Sequence, residues 1–569
     1  MRDMQPVQLV LLWHMHQPDY RNYETGEFML PWVYLHAIKD YSDMAAHLEA
    51  HPHMKAVVNF VPVLLDQLED YATQFASGEI RDPLLRLLAI PSLDDVSEED
   101  RLRAFDSCFR SNHLTMMQPY PAYKRLYDIH EMLREYGDGE LTYLSGQYLA
   151  DLLVWYHLAW TGESVRRSSE VVIQLMTQAK GFSYADRMQL LDVIGEVVQG
   201  LIPRYRKLVE SGQIELSTTP HYHPLAPLLI DFSSARESVP GSALPIEPVY
   251  PGGRSRVASQ LVSAIESHAA RFGARPEGVW PAEGAVSAPL LEILGEKGCQ
   301  WCASGEGVLA NSLRHSYPGE PLPERSRFLY RPYRVDGKSG DVICFFRDEK
   351  LSDMIGFEYA KWFGRDAAEH LVRSLEEIGH SALPGEKPVV SVILDGENAW
   401  EYYPYNGYYF LNDLYEILEN HPSIHSTTYR DYIASENEKE AARLPLLTAG
   451  SWVYGTFSTW IGDRDKNRAW DLLSAAKHSY DLVMQSGRLT PDERKKAERQ
   501  LASCESSDWF WWLGDYNPPY AVSSFDQLFR DNLANLYVLL KLPVPISITE
   551  PISHGGGVHE TSGAMRRAS

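Results

Sequence analysis

The sequence predicts an α/β fold, a parallel (β/α) barrel followed by a helical C-terminal unit. Three observations carry this. Short runs rich in Val, Ile and Leu recur before residue 400 and read as strands buried on both faces. Segments of helical periodicity lie between them, and such alternation builds a parallel sheet with helical crossovers. Beyond residue 410 strands become scarce and helices dominate. The number of alternating units favours a closed barrel over an open sheet.

The apolar runs fall at residues 7–13, 56–61, 214–218, 278–280, 342–346 and 389–394. Helical spacing marks 187–212, 257–273 and 366–379, each ending at a Gly. Residues 236–256, rich in Pro, Gly and Ser, predict a long loop of the kind that serves barrel mouths. Helices are expected at 411–419, 467–487, 491–504 and 525–542, the third opened by Thr490 as N-cap and Pro491 at the first helical position. At about 150 residues per domain the 569 residues allow roughly four units, but barrels exceed that size, so two are expected. The expected division is 1–410 barrel, 411–546 helical domain and 547–569 disordered tail, the last with a Gly555–Gly557 run and little that can pack.

Charge narrows the function. Lys and Arg number 53 against 77 Asp and Glu, a net charge of −24. So acidic a chain lacks the cationic footprint of a nucleic-acid or anionic-membrane partner. No apolar stretch reaches the length of a membrane span. The apolar stretch at 7–13 lacks a small-residue cleavage site and reads as a buried first strand rather than a leader. Five cysteines, an odd and small number, predict a reducing compartment, hence a cytoplasmic location. Cys299 and Cys302 have zinc-ligand spacing but no second such pair, so buried structural thiols are expected.

Chemistry-bearing residues follow the strands. His14-Met-His16-Gln17-Pro18 ends the first, and residues two apart on an extended chain point the same way. Glu215 lies in the run at 214–218, with His221 and His223 just beyond. Gly278-Val-Trp280-Pro-Ala-Glu283-Gly284 follows, then Ala303-Ser-Gly305-Glu306-Gly307. Glu306 sits between two glycines, which admit close approach of backbone or ligand, and reads as a candidate nucleophile. The run 389–394 ends in Asp395-Gly-Glu397-Asn398-Ala-Trp400. A carboxylate ending a buried barrel strand sits at the catalytic face, and burial raises its pKa as a general acid needs. Glu306 and Asp395 are therefore the expected pair for glycoside chemistry. Trp32, Trp280, Trp400, Trp452 and Trp460 lie in or beside these motifs, and aromatic faces stack on the apolar faces of sugars.

Together these residues resemble glycoside hydrolase family 57, whose five short regions find matches in order. They are His14–Pro18, Gly212–Ser217, Ala303–Val308, Leu394–Asn398 and Trp452–Gly462. The resemblance covers residues 7 to 545 and looks closest to the amylase and amylopullulanase-like branch, through Leu30-Pro-Trp32, Phe345-Phe-Arg347-Asp348 and Trp460-Ile-Gly-Asp463. It implies a distorted seven-stranded parallel barrel and a retaining mechanism on α-glucosidic bonds. Glu306 is implied as nucleophile, Asp395 as acid/base and Trp460 as the key ring of the fifth region. Motifs and resemblance together give an expected substrate-binding set of His14, His16, Gln17, Trp32, Glu215, His223, Trp280, Glu397, Trp400, Trp460 and Asp463. No metal and no cofactor are implied. The partner is an α-glucan or malto-oligosaccharide. Water as acceptor gives an α-amylase or amylopullulanase, and a glucan hydroxyl gives a 4-α-glucanotransferase or branching enzyme. Gly305 departs from the polar residue of many relatives, which predicts altered subsite contacts. Two other classes remain: a zinc-dependent mannosidase- or deacetylase-like hydrolase using His14 and His16, and a non-catalytic glucan-binding protein.

Overall fold

A computed structural model of the chain describes residues 4–337, 342–435 and 441–557. Ten strands are described: β1 (Val7–Met15), β2 (Ala56–Phe60), β3 (Ile214–Thr218), β4 (Gly278–Val279), β5 (Trp301–Gly305), β6 (Tyr333–Val335), β7 (Ile343–Arg347), β8 (Val389–Asp395), β9 (Ile424–Ser426) and β10 (Ala442–Leu444). Seven of them, β1–β2–β3–β4–β5–β7–β8, run parallel and close into a barrel when β8 returns to β1. The distortion has a visible cause. β1 and β8 pair from Gln8↔Val389 to His14↔Asp395, whereas β3–β4 and β7–β8 each touch at one pair, Thr218↔Val279 and Arg347↔Ser391. The remaining strands extend this wall outside the barrel, with β6 antiparallel to β7.

Side chains alternate along a strand, so every second residue faces the barrel interior. Val10 and Leu12, Val57, Ala303, Phe345 and Ile393 form one buried interior cluster. The next inward positions toward the strand C-termini are His14, Asn59, Gly305, Arg347 and Asp395. The apolar interior therefore ends in a polar layer at the face where barrel active sites form. Tyr429, in the helix Tyr429–Ala434, packs on Trp301 and Phe345 with ring centroids 4.4 and 4.3 Å apart and plugs the opposite end.

β4, β5, β6, β9 and β10 are the strands with weak or absent sequence signals. β5 reads Trp-Cys-Ala-Ser-Gly, without a β-branched residue, and the other four have two or three residues each. Between β2 and β3 the chain makes a helical excursion, which ends in the helix Tyr184–Glu210.

Two expected boundaries are corrected. The sheet of the barrel unit runs on past 410, because β9 pairs with β1 outside the ring of seven and the plugging helix follows it. Nor are residues 547–557 of the tail free. The Asp526 carboxylate accepts from the backbone N–H groups of Ile552 and Ser553, and those of Gly556 and Gly557 donate to the Asn517 carbonyl. The rest of that tail lies outside the described residues.

The helical C-terminal part contains Arg464–Ser486, Pro491–Cys504, Ser507–Trp512 and Pro519–Leu539. Thr490 caps the second of these as expected, within a capping box with Glu493. A buried charge pair ties this part to the barrel. Glu505 accepts from Arg256 Nε at 2.8 Å, Gln260 Nε2 at 2.6 Å and the Tyr250 hydroxyl at 2.8 Å. Unpairing such a charge costs several kcal/mol, so this joint holds residues 506–508 in register over the barrel mouth. All five cysteines are buried thiols. Among the described residues no helix is long and apolar enough to cross a membrane.

Candidate active site

The polar layer begins with His14. Its Nδ1 lies 2.7 Å from Asn59 Oδ1 and its Nε2 lies 3.2 Å from His223 Nε2. Burial pushes the His14 imidazole down to about 3, with His16 adding to the effect, and pushes His223 down as well. Both rings are therefore neutral at pH 7. His223 stacks on His16 with centroids 3.8 Å apart and planes at 18°. It holds a left-handed backbone, φ 56°, which Ser507 N–H pins by donating to its carbonyl at 2.9 Å.

From that same junction the helix Ser507–Trp512 delivers two groups into the cleft. Asp508 Oδ2 lies 2.8 Å from His16 Nε2, and Ser507 Oγ lies 2.9 Å from both His223 Nδ1 and Glu283 Oε1. Glu283 follows β4 in another left-handed residue, φ 60°. Gly284 beside it is required, because a Cβ there would stand 2.7 Å from the Trp280 ring. The second Glu283 oxygen accepts from Trp452 Nε1 at 3.3 Å. Strained backbone persists where the surroundings over-determine it, commonly at functional sites.

Asp395 ends β8 and accepts from Asn398 Nδ2 at 2.9 Å. Burial raises its carboxyl to about 6. Burial raises Glu283 to about 8, and the charges of Asp508 and Asp395 add to this. Glu397 is also pushed up, by burial and by Asp395, and its Oε1 accepts from the His16 backbone N–H at 3.2 Å and Gln17 Nε2 at 3.5 Å. The mouth thus gathers His14, His16, Gln17, His223, Trp280, Asp395 and Glu397 of the expected set. Glu283, Ser507, Asp508 and Asn59, to which the sequence assigned no role, join them, as does Trp452, one of the rings expected to stack on sugars.

Other expected residues lie elsewhere. Glu306, the first residue of the helix Glu306–Ser316, is gripped in a fork by Arg325, Nε–Oε1 at 2.5 Å and Nη2–Oε2 at 2.6 Å. Arg325 also binds Asp348 at 2.6 Å. Both Glu306 oxygens are thus committed to a guanidinium, and the glutamate whose carboxyl feels the Asp395 charge is Glu283. The flanking glycines have a packing reason: a Cβ at Gly305 would meet Trp452 Cα at 2.7 Å, and one at Gly307 would meet Gly455 at 3.0 Å. They admit the 449–456 loop, which Val286 and Gly450 stitch to the 283–286 segment. Gly305 therefore contacts protein backbone rather than shaping a subsite.

Glu215 sits near the start of β3, at the plugged end of the barrel. It accepts from Trp301 Nε1 at 2.8 Å and from the Arg430 backbone N–H at 2.9 Å. Trp460 is fully buried against Trp511, which leaves no face for a sugar. Trp400 is buried too, its Nε1 donating to the Gly396 carbonyl at 2.8 Å. Asp463 caps the helix Arg464–Ser486. Trp32 packs on Trp160, with centroids 5.6 Å apart. The half-exposed ring of the fifth region that faces the site is Trp452, which stands edge-on to Trp280 and 5.4 Å under the Arg347 guanidinium.

His16, His223 and Asp508 place ligand-type atoms within 4.8 Å of one another, the one such group among the described residues. Their geometry suits a metal poorly. Stacked imidazoles aim their lone pairs side by side rather than at a common point, and Asp508 already accepts from Ser506 and pairs with His16.

Comparison with known proteins bears on the family and the fold. The family model described as glycosyl hydrolase family 57 matches residues 10–445. No curated protein matches. Among solved structures, the GH57 branching enzyme of Thermococcus kodakaraensis is similar with a TM-score of 0.55 and 15% identity, over 94% of this chain and 88% of that one. The GH57-type branching enzyme of Pyrococcus horikoshii gives 0.56 and 15%, over 97% and 99%. The α-amylase AmyC of Thermotoga maritima gives 0.52 and 15%, over 95% and 94%. At this identity the likeness establishes a shared fold.

Proposed function

The chain belongs to glycosyl hydrolase family 57, and from that premise we propose that it is a retaining enzyme acting on α-glucans, with Glu283 as nucleophile and Asp395 as acid/base. The observation that carries this reading is the pair of buried carboxyls at the C-terminal face of the barrel, Glu283 held by Trp452 and within reach of the Asp395 charge. The branching enzymes and α-amylase that share the fold support an α-glucan as substrate. A neutral polymer also suits a chain of net charge −24.

The chemistry follows the positions. Ionised Glu283 attacks the anomeric carbon as the glycosidic C–O bond breaks, and the Asp395 carboxyl gives its proton to the leaving oxygen. Asp395, now a carboxylate, takes the proton of the incoming hydroxyl, whose oxygen displaces Glu283. The Trp452 and Ser507 hydrogen bonds favour the ionised nucleophile against the burial that opposes it. Neutral His14 and His223 add no cation that would tie up either carboxylate.

With water as acceptor the enzyme is a hydrolase of the α-amylase or amylopullulanase type. Transfer, as in a branching enzyme or 4-α-glucanotransferase, is favoured by one feature. Both carboxylates are buried, and a site that sheds water protects a glycosyl-enzyme from hydrolysis. Incubation with maltoheptaose tests both readings. Rising reducing ends with shorter products mean hydrolysis, and constant reducing ends with longer and shorter chains mean disproportionation. A branching reaction leaves reducing ends constant and adds α-1,6 linkages on amylose. Stoichiometric zinc in the purified protein, or glucan binding without turnover, would overturn the reading.

A further inference from the structure

The loop that follows Asp395 runs on into a row of exposed aromatic rings that the chemistry above leaves unused. Tyr402, Tyr405 and Tyr409 are 41%, 56% and 47% exposed, unusual for rings of this size clustered within eight residues. Water-exposed apolar faces are costly, so such a row is a sign of a surface that is covered in use.

The row is built rather than loose. Tyr405 and Asn406 both hold left-handed backbone, φ 54° each, a conformation that costs ordinary residues energy. Asn406 Nδ2 anchors the turn on Asp43 Oδ2 at 2.9 Å. Gly407 lies so close over the Trp400 ring that a Cβ would stand 2.7 Å from it. Trp400 in turn hydrogen-bonds to Gly396, next to Asp395. The strained turn is thus rigidly coupled to the strand end that carries the acid/base. Tyr409 stands edge-on to Tyr405 with centroids 5.5 Å apart, and its hydroxyl accepts from Arg167 Nη2 at 3.0 Å.

A fourth exposed ring, from the C-terminal helical part, meets the row at Tyr402. Tyr520, 45% exposed, follows the helix that bears Asp508 and lies near both Glu401 and Tyr402. Both loops that supply carboxylates to the site therefore continue outward into tyrosines.

We propose that Tyr402, Tyr405 and Tyr409, with Tyr520, form an accessory track on the rim of the cleft that binds a neutral α-glucan chain beyond the reacting sugars. Aromatic faces take the apolar faces of successive sugar rings while the tyrosine hydroxyls meet their polar rims. A polyanion is disfavoured by the charge of the chain, and an apolar protein partner by the hydroxyl on every ring. The proposal rests on the α-glucan reading above and adds a requirement for chain length to it.

The test compares wild type with a Tyr402→Ala, Tyr405→Asn double variant. Asn tolerates the left-handed backbone at 405, so the fold is spared. Two readouts are taken, retardation in native gels containing amylopectin and turnover of amylopectin and of 4-nitrophenyl α-maltotrioside. The expected result is about a tenfold loss of apparent amylopectin affinity and a matching rise in its KM, with kcat/KM on the short substrate unchanged. Unchanged retardation and KM would overturn the track and leave the α-glucan reading intact. Loss of short-substrate turnover in a folded variant would also overturn it, by placing these rings at the reacting sugars. A wild type that neither binds nor turns over any α-glucan would overturn the reading of function and the track with it.

Discussion

Trp452 holds Glu283 twice: its backbone N–H donates to the Glu283 carbonyl at 3.0 Å, and its indole N–H to the carboxylate Oε2 at 3.3 Å. A residue 169 positions away thus fixes both the backbone and the charge of the proposed nucleophile. The indole bond favours the ionised carboxylate, against burial and the neighbouring charges of Asp508 and Asp395.

Trp452→Phe keeps a ring and removes that N–H. The Glu283 carboxyl then rises further, and kcat on a malto-oligosaccharide falls by about ten- to a hundredfold, the loss expected for one hydrogen bond to a charged group. The alkaline limb of the kcat/KM profile, set by Glu283 at about 8, moves to higher pH. A proportional loss at every pH would make Trp452 a packing residue only.

Asp395 titrates at about 6 and Glu283 at about 8. Between these limits the two carboxyls carry one proton, which rests on Glu283, and the reactive form is the tautomer that carries it on Asp395 with Glu283 ionised. Below about 6 both carboxyls are protonated, and above about 8 both are ionised. The kcat/KM profile on maltoheptaose is therefore bell-shaped with its maximum between these limits. Activity still rising at pH 9 would contradict these limits.

Glu283→Gln removes turnover and stabilises the fold at neutral and alkaline pH. An acid raised on folding, here from 4.5 to about 8, leaves stability intact below 4.5 and erodes it as pH rises toward 8. The isosteric amide has no such dependence. The variant's melting temperature exceeds that of wild type by several degrees at pH 8 and by little at pH 4.5, as thermal unfolding at the two pH values will show.

Trp460→Ala acts on stability instead of on substrate. A fully buried indole replaced by a methyl group costs about 3–5 kcal/mol. The melting temperature drops while KM on amylopectin in the surviving folded enzyme stays near that of wild type. A raised KM with unchanged stability would restore Trp460 to the binding surface.

These variants also mark where sequence was informative. Buried strands of β-branched residues announced β1, β2 and β8, and the polar residues at the ends of β1 and β8, His14, His16 and Asp395, are in the site. β5 carried no such signal. Glu306 drew attention because glycines flank it, yet those glycines serve backbone contact with the 449–456 loop. Glu283 was legible as a carboxylate just past Trp280, but a two-residue strand gave little reason to rank it. Asp508 could not be placed, since its position depends on the Glu505–Arg256 joint between segments about 250 residues apart in the chain. Aromatic content pointed to sugar binding without separating buried Trp460 from half-exposed Trp452, because burial is a property of packing.

The most direct measurement is to identify the residue that carries the glycosyl group. An Asp395→Asn enzyme given an activated aryl α-maltoside can form the covalent intermediate without acid help, and lacks the base that would discharge it. Peptide mass spectrometry of the trapped protein will place the sugar on the peptide containing Glu283. A sugar on Glu306 would contradict the account, as would an intermediate that still accumulates on a Glu283→Gln background.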